Sequence, residues 1–179
     1  MAERRVLRMG DPFLHQVAEL VTEIGTDEFK VLIEDMWDTM AARSGIGLAA
    51  PQIGVGLRVM VFGVESSPRY EDAGAIPPTV LVNPTVTALS DERANGWEGC
   101  LSIPGMRGVV PRYEHIRYVG VDANGDAIDR EASGFHARVV QHEMDHLDGI
   151  LYPQRMDDLS KFGFEEEISL AGRFDTRFC

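Results

Sequence analysis

His142, Glu143 and His146 stand in the run His142-Glu143-Met144-Asp145-His146. On a helix, positions i and i+4 share one face, with Cβ atoms roughly 5–6 Å apart. Two imidazoles so placed can bind one ion at about 2.0–2.1 Å each. Glu143 follows the first of them and projects toward the open side of that ion, where a carboxylate can take a proton from water. The plain alternative is a surface helix that holds two histidines and an acid. A third protein ligand decides what kind of site this is, and two positions compete for it. Glu165, Glu166 and Glu167 lie downstream. Cys100 lies upstream, in Glu98-Gly99-Cys100-Leu101-Ser102. A thiolate is a strong ligand for Zn²⁺ or Fe²⁺, although a free cysteine is more often a small buried hydrophobe. Three protein ligands leave a tetrahedral position open, as catalysis requires, whereas a structural zinc needs four. His15, His115 and His136 are expected to take no part, and Cys179 to be a plain terminus. His136 is ten residues before His146, ~15 Å away along a helix. Glu98 and Asp145 are candidates to orient the histidines or to pair with Arg112.

A second cluster is Gly45-Ile46-Gly47-Leu48-Ala49-Ala50-Pro51-Gln52. Its Gly45-x-Gly47-x-x-Ala50 spacing, with Glu65 further on, formally matches a dinucleotide-binding fingerprint. That fingerprint needs a strand before it and a helix opening within it. Here a helical pattern precedes it, and Pro51, Gly54 and Gly56 would break the helix that should follow. The better reading is backbone that passes close to a ligand. Gln52 can offer an amide N–H to a developing oxyanion.

These groups must be held by regular elements. Phe29, Ile33, Met36 and Met40, with Leu32, recur at helical spacing and predict a helix over Asp27–Arg43. Thr26 or Asp27 caps its start, and Ser44-Gly45 ends it through a left-handed glycine. Glu34, Asp35 and Asp38 are expected on its solvated face. Leu57–Val64, Val80–Asn83, Thr85–Leu89 and Tyr113–Asp122 are expected strands, with Ser66–Pro78 a loop. Asn124-Gly125 predicts a hairpin turn with both central residues at positive φ. Short turns between strands favour antiparallel pairing. A second helix, from Ser133 as its cap to about Leu147 and ended by Gly149, would carry the histidines. The tail after Met156 is acidic: Lys161, Arg173 and Arg177 face six carboxylates. A short helix or a partly disordered end would suit it.

The chain has 179 residues, a length suited to a single domain over 1–179. Its 17 Lys and Arg against 29 Asp and Glu give a net charge of −12, with no basic run. That argues against direct nucleic-acid binding, which needs clustered cations. Two cysteines exclude a disulfide scaffold and fit a reducing compartment. No apolar run approaches about 18 residues, so no membrane helix is expected. No apolar core of a signal peptide follows Arg4 and Arg5, and a cytoplasmic protein is the expectation.

Taken together, Gly45–Gln52, Glu98–Ser102 and Gln141–His146 resemble the three motifs of the peptide deformylase family, in the family's order. Gly10-Asp11-Pro12 and Val110-Pro111-Arg112 are also similar, so the resemblance spans roughly residues 4 to 155. It implies the type I, iron- or zinc-using kind, and an α+β fold with antiparallel β-sheets packed around a central α-helix that carries the metal motif. It implies Cys100, His142 and His146 as metal ligands with water as the fourth. Glu143 would be the general base and then the acid. Gln52 and the Leu101 N–H would form the oxyanion site. Ile46 and Gly47 would hold the peptide backbone, with Gly99, Arg107 and Val139 along the substrate path. The implied metal is Fe²⁺, with Zn²⁺, Ni²⁺ or Co²⁺ as substitutes. The implied substrate is the N-formyl-methionyl nascent polypeptide, met near the ribosome, in a bacterial cytosol or an organelle. Two departures stand out. The acidic tail does not suit a basic ribosome-docking helix. Arg138, one turn before His142, replaces the apolar residue many relatives have at the methionine pocket, and is expected to point outward. The competing readings are a zinc endopeptidase of the His-Glu-x-x-His kind, which would tolerate loss of Cys100, and a metal-binding relative without turnover.

Overall fold

A computed structural model describes residues 2–64 and 75–172. Helix α1 runs over Asp27–Ala42, and Thr26 Oγ accepts from the Phe29 N–H at its start. Phe29, Leu32, Ile33, Met36 and Met40 are buried as the periodicity requires. Asp35 departs from the expected solvated face. It is buried and accepts from Arg4 Nε at 2.7 Å and from the Ala2 N–H at 2.8 Å, so the N-terminal segment covers that side of the helix. The left-handed residue at the helix end is Ser44, with φ +52°, and not Gly45. Gly45 is needed for closeness: a Cβ there would sit 3.0 Å from Leu101 Cδ1.

Strands β1 (Gly47–Ala49), β2 (Val59–Val64), β3 (Ile76–Ala88), β6 (His115–Val121) and β7 (Ala127–Ser133) form one antiparallel sheet, in the order β1-β2-β3-β6-β7. Strand β2 is apolar at every position because both of its faces are covered. Val59 and Val61 pack toward α1, while Met60 and Phe62 pack on the opposite side with Val140 and Leu147. Strands β4 (Arg93–Cys100), β5 (Ile103–Tyr113) and β8 (Phe162–Phe164) form a second antiparallel sheet. Helix α2 (Gly134–Leu147) packs against strands of both sheets and carries residues 142–146. Ser133 holds its cap position without a side-chain hydrogen bond.

Several expectations need correction. The two segments around Pro84 are one strand, bent at Asn83, whose φ is +50°. The Asn83 side chain pairs with the Val21 backbone in both directions at 2.9 Å, which holds the bend. Strand β3 already includes Pro77 and Pro78, and residues 66–74 of the expected loop lie outside the described residues. The β6–β7 turn has only Gly125 at positive φ. The Asp122 carboxylate accepts the N–H groups of Asn124 and Asp126 instead. Beyond Met156 the chain adds β8 and a short helix α3 (Glu165–Leu170). Cys179 lies outside the described residues. No helix of the described residues is long and apolar enough to cross a membrane.

Candidate metal site and cleft

The C-terminal end of β4 meets α2 at Cys100. Cys100 Sγ, His142 and His146 place one donor atom each within 4.8 Å of one another. An ion with bonds of about 2.0–2.3 Å can span that triangle. The donors also suit a metal chemically, since a thiolate and two imidazoles match Zn²⁺ or Fe²⁺. Among the described residues, the donor group includes none of Glu165, Glu166 and Glu167, and Glu165 pairs with Arg107 at 3.3 Å.

The surroundings orient these donors. His142 Nδ1 lies 2.8 Å from Glu98 Oε2, which leaves Nε2 for another partner. Glu98 therefore does both jobs expected of it, because it also accepts from Arg112 Nε at 2.9 Å and Nη2 at 3.0 Å. Asp145 accepts from Arg112 Nη1 at 2.6 Å and from Arg155. Burial opposes charge on His142, yet hydrogen bonding and charge from Cys100 and Glu98 raise its pKa well above the usual imidazole value. His146 Nε2 lies 3.2 Å from Cys100 Sγ.

The donors open on a cleft of about 330 Å³. Gln52, Glu98, Cys100, His142 and Glu143 face it, as do Ile46, Gly47, Gly99, Leu101, Arg107 and Val139. Gln52 Oε1 accepts the Ala49 N–H at 2.8 Å, which turns its N–H₂ toward Cys100 Sγ at 3.5 Å and Ser102 Oγ at 3.2 Å. Glu143 is buried, and its Oε2 has no hydrogen-bond partner among the described residues. Burial, reinforced by the Glu98 charge, raises its pKa to about 7 against the pull of His142 and Arg112.

Gly47 is there for contact with that carboxylate: a methyl on it would overlap Glu143. Gly47→Ala is expected to displace the Glu143 carboxylate, at a cost of about 10²-fold in the rate of any reaction that this carboxylate serves. Steady-state kinetics with a circular-dichroism check of folding would test this.

Trp97 and Phe135 also line the cleft, and sequence reasoning passed over both. Phe135, Arg138, His142 and His146 recur at helical spacing on α2, so periodicity extended backward from His142 would have found Phe135. Trp97 lies on β4, which the glycines at 96 and 99 disguised. Arg138 is buried, contrary to expectation, and its side chain crosses to β4 and β5. Among the described residues His136 packs against Phe62 and Tyr118, away from the donor triangle. The Gly45–Ala50 run enters β1 and a single 3-10 turn, with no helix opening in it, so the dinucleotide geometry is absent there.

An α+β scaffold whose helix brings two histidines to a cysteine, beside a buried carboxylate, suits a metal-dependent hydrolase. The family model for polypeptide deformylases matches residues 3–162, and the chain belongs to the peptide deformylase family. It is 62% identical to peptide deformylase 1 of Nitrosomonas europaea over 91% of this chain and 93% of that relative. It is 61% identical to peptide deformylase 2 of Ralstonia nicotianae, over 91% and 92% of the two chains. The Met-Ala-Ser-bound crystal structure of the class I type b enzyme of Acinetobacter baumannii superposes with a TM-score of 0.83 at 37% identity, covering 87% of this chain and 99% of that one. The Thermotoga maritima enzyme gives 0.78 at 34% identity, covering 88% and 100%. The activity is therefore peptide deformylation, the metal-dependent hydrolytic removal of an N-formyl group from a peptide's N-terminal methionine.

Proposed function

We propose that Cys100, His142 and His146 hold Fe²⁺, with Zn²⁺, Ni²⁺ or Co²⁺ as working substitutes, and that Glu143 is the acid–base group. The observation that carries this is the buried Glu143 Oε2, without a hydrogen-bond partner among the described residues, in the same cleft as Cys100 and His142. A divalent cation there supplies Lewis acidity toward the formyl carbonyl and toward water. Glu143 takes the water's proton as oxygen attacks the formyl carbon. The Gln52 amide and the Leu101 N–H donate to the carbonyl oxygen as charge develops on it. Glu143 then passes the proton to the amine as the C–N bond breaks, releasing formate and a free N-terminus. An anionic thiolate donates charge to its metal and blunts Lewis acidity, so rate depends on which metal is bound, and thiolate–iron chemistry favours oxygen-free handling.

The peptide adds to β1, which is an edge strand of its sheet. The Ile46 carbonyl already accepts from the Gly63 N–H at 2.9 Å, so Ile46 contributes its N–H, beside Gly47. Gly99, Val139 and Arg107 line the peptide's path. The substrates are formyl-methionyl nascent chains, in a bacterial cytosol. The whole chain acts as one catalytic domain.

The test is amine and formate release from formyl-Met-Ala-Ser by enzyme prepared anaerobically with Fe²⁺. Release is expected from the formyl peptide and not from its acetyl counterpart. Chelation should abolish it and Fe²⁺ restore it, and Cys100→Ser should lower metal content together with rate. Internal peptide cleavage without formate would make the protein an endopeptidase. Stoichiometric metal without formate would make it an inactive relative.

A further inference from the structure

The metal donors come from two separate pieces of chain. Cys100 ends β4, while His142 and His146 lie on α2. Whatever fixes α2 on β4 therefore sets the shape of the donor triangle, and such sites tolerate only about 0.5 Å of error. Arg138 sits one helical turn before His142, on the same face. Its guanidinium reaches two strands of the second sheet, β4 and β5. Nη1 donates to the Val110 carbonyl at 2.8 Å and to Glu98 Oε1 at 2.9 Å, and Nη2 donates to the Ala94 carbonyl at 2.7 Å. It lies flat over Gly96, where a Cβ would come within 2.7 Å of its Cζ. Glu98, two residues before Cys100, is thereby saturated. Oε1 takes Arg138 and Arg112, and Oε2 takes Arg112 and His142.

We propose that Arg138 is a positioning residue for the deformylation reaction: it clamps α2 onto β4 and turns the Glu98 carboxylate so that Oε2 meets His142. This rests on the reading of Cys100, His142 and His146 as metal ligands. The clamp works by geometry more than by charge. Without Arg138, Glu98 still has Arg112 and His142, and Asp145 still has Arg112 and Arg155. Arg138→Met therefore leaves no carboxylate stranded and is expected to fold. What it removes is a fork that touches two strands and one carboxylate at once. Lysine, a point charge with no fork, replaces this only in part.

The experiment compares wild type, Arg138→Met and Arg138→Lys, each loaded with Ni²⁺. The first readout is the rate of metal loss to excess EDTA. The second is kcat and KM on formyl-Met-Ala-Ser, with formyl-norleucyl-Ala-Ser for comparison. Loss of a ligand's hydrogen-bonded partner typically weakens metal holding by about 10–100-fold, and Arg138 acts on such a partner, Glu98, so the low end of that range applies. Arg138→Met should accordingly lose metal at least about tenfold faster, with kcat falling and KM nearly unchanged, and Arg138→Lys should lie between it and wild type. Gly96→Ala displaces the guanidinium without deleting it, and should speed metal loss in the same way. Should Arg138→Met not fold, the Lys and Gly96→Ala variants give the same readouts. Unchanged metal loss with an altered KM, or an altered methionine-to-norleucine ratio, would make Arg138 a pocket wall and overturn the proposal. A lower unfolding midpoint with unchanged metal loss and kcat would make it a packing residue and also overturn it. A wild type that binds no stoichiometric metal would instead overturn the ligand assignment.

Discussion

Glu143→Gln is expected to lower kcat/KM on formyl-methionyl peptides by about 10²–10⁴-fold while metal stays bound. The amide keeps the size and burial of the side chain but cannot accept and return a proton. The wild-type pH profile gives a second test. Burial raises the Glu143 pKa to about 7, so in the metal-free protein the carboxylate form accumulates only above that value. A cation in the same cleft favours the carboxylate and moves the midpoint lower. Activity should therefore rise with pH along a limb at or below neutrality, and that limb should vanish in Glu143→Gln. Metal content by elemental analysis and kcat/KM from pH 5 to 9 would check both. Retained turnover, or loss of metal in place of turnover, would remove Glu143 from its proposed role.

The largest expected change in stability is at Glu98. Two guanidinium groups and an imidazole converge on this one buried carboxylate. Glu98→Ala leaves Arg138 bonded to carbonyls alone and His142 Nδ1 without its acceptor. Deleting one partner of a buried charge network costs about 3–5 kcal/mol, because the remaining charges stay desolvated. Urea unfolding followed by tryptophan fluorescence would measure this. The acid response adds to the argument. Burial alone would push the Glu98 pKa up, but the Arg112 charge and the hydrogen bonds from His142 and Arg112 hold it well below the usual carboxylate range. A carboxylate depressed in the folded state stabilises the fold above its unfolded pKa of about 4.5 and loses that contribution as pH falls toward the folded value. Between pH 5 and 3 the wild type should therefore lose stability more steeply than Glu98→Ala. A cost below about 1 kcal/mol, or equal acid slopes, would show the network to be looser than its geometry.

These two carboxylates divide the site's work by environment. Both are buried. Glu98 has arginines on it and stays charged, holding His142 in orientation. Among the described residues Glu143 Oε2 has no hydrogen-bond partner, and burial raises the pKa of this carboxyl to about 7. The sequence shows two glutamates of equal chemistry, and the fold separates their roles.

What the sequence determined by itself was whatever repeats or reacts locally. His142 and His146 at four-residue spacing place two imidazoles on one helical face, whatever that helix packs against. The α1 stripe follows from the 3.6-residue period and β2 from its short unbroken apolar, β-branched run, and both elements formed where expected. The cysteine, the Glu143 carboxylate and the Gln52 amide were recognisable from side-chain chemistry and from the order of three motifs. Tertiary structure decided what depends on a partner distant in the chain. Asp35 resembles any helix-surface acid until Arg4 folds over it. Strand β4 is poor in branched residues because Gly96 and Gly99 lie under the side chains of Arg138 and Arg107, so the residues that permit the site also hid its strand. Arg138 is a long cation with no local preference for a direction, and only the carbonyls of β4 and β5 turn it inward. The third donor was ambiguous for the same reason: Cys100 and Glu165 both suit a metal chemically, and only the crossing of α2 over the end of β4 brings the thiol, and not the carboxylate, to the histidines.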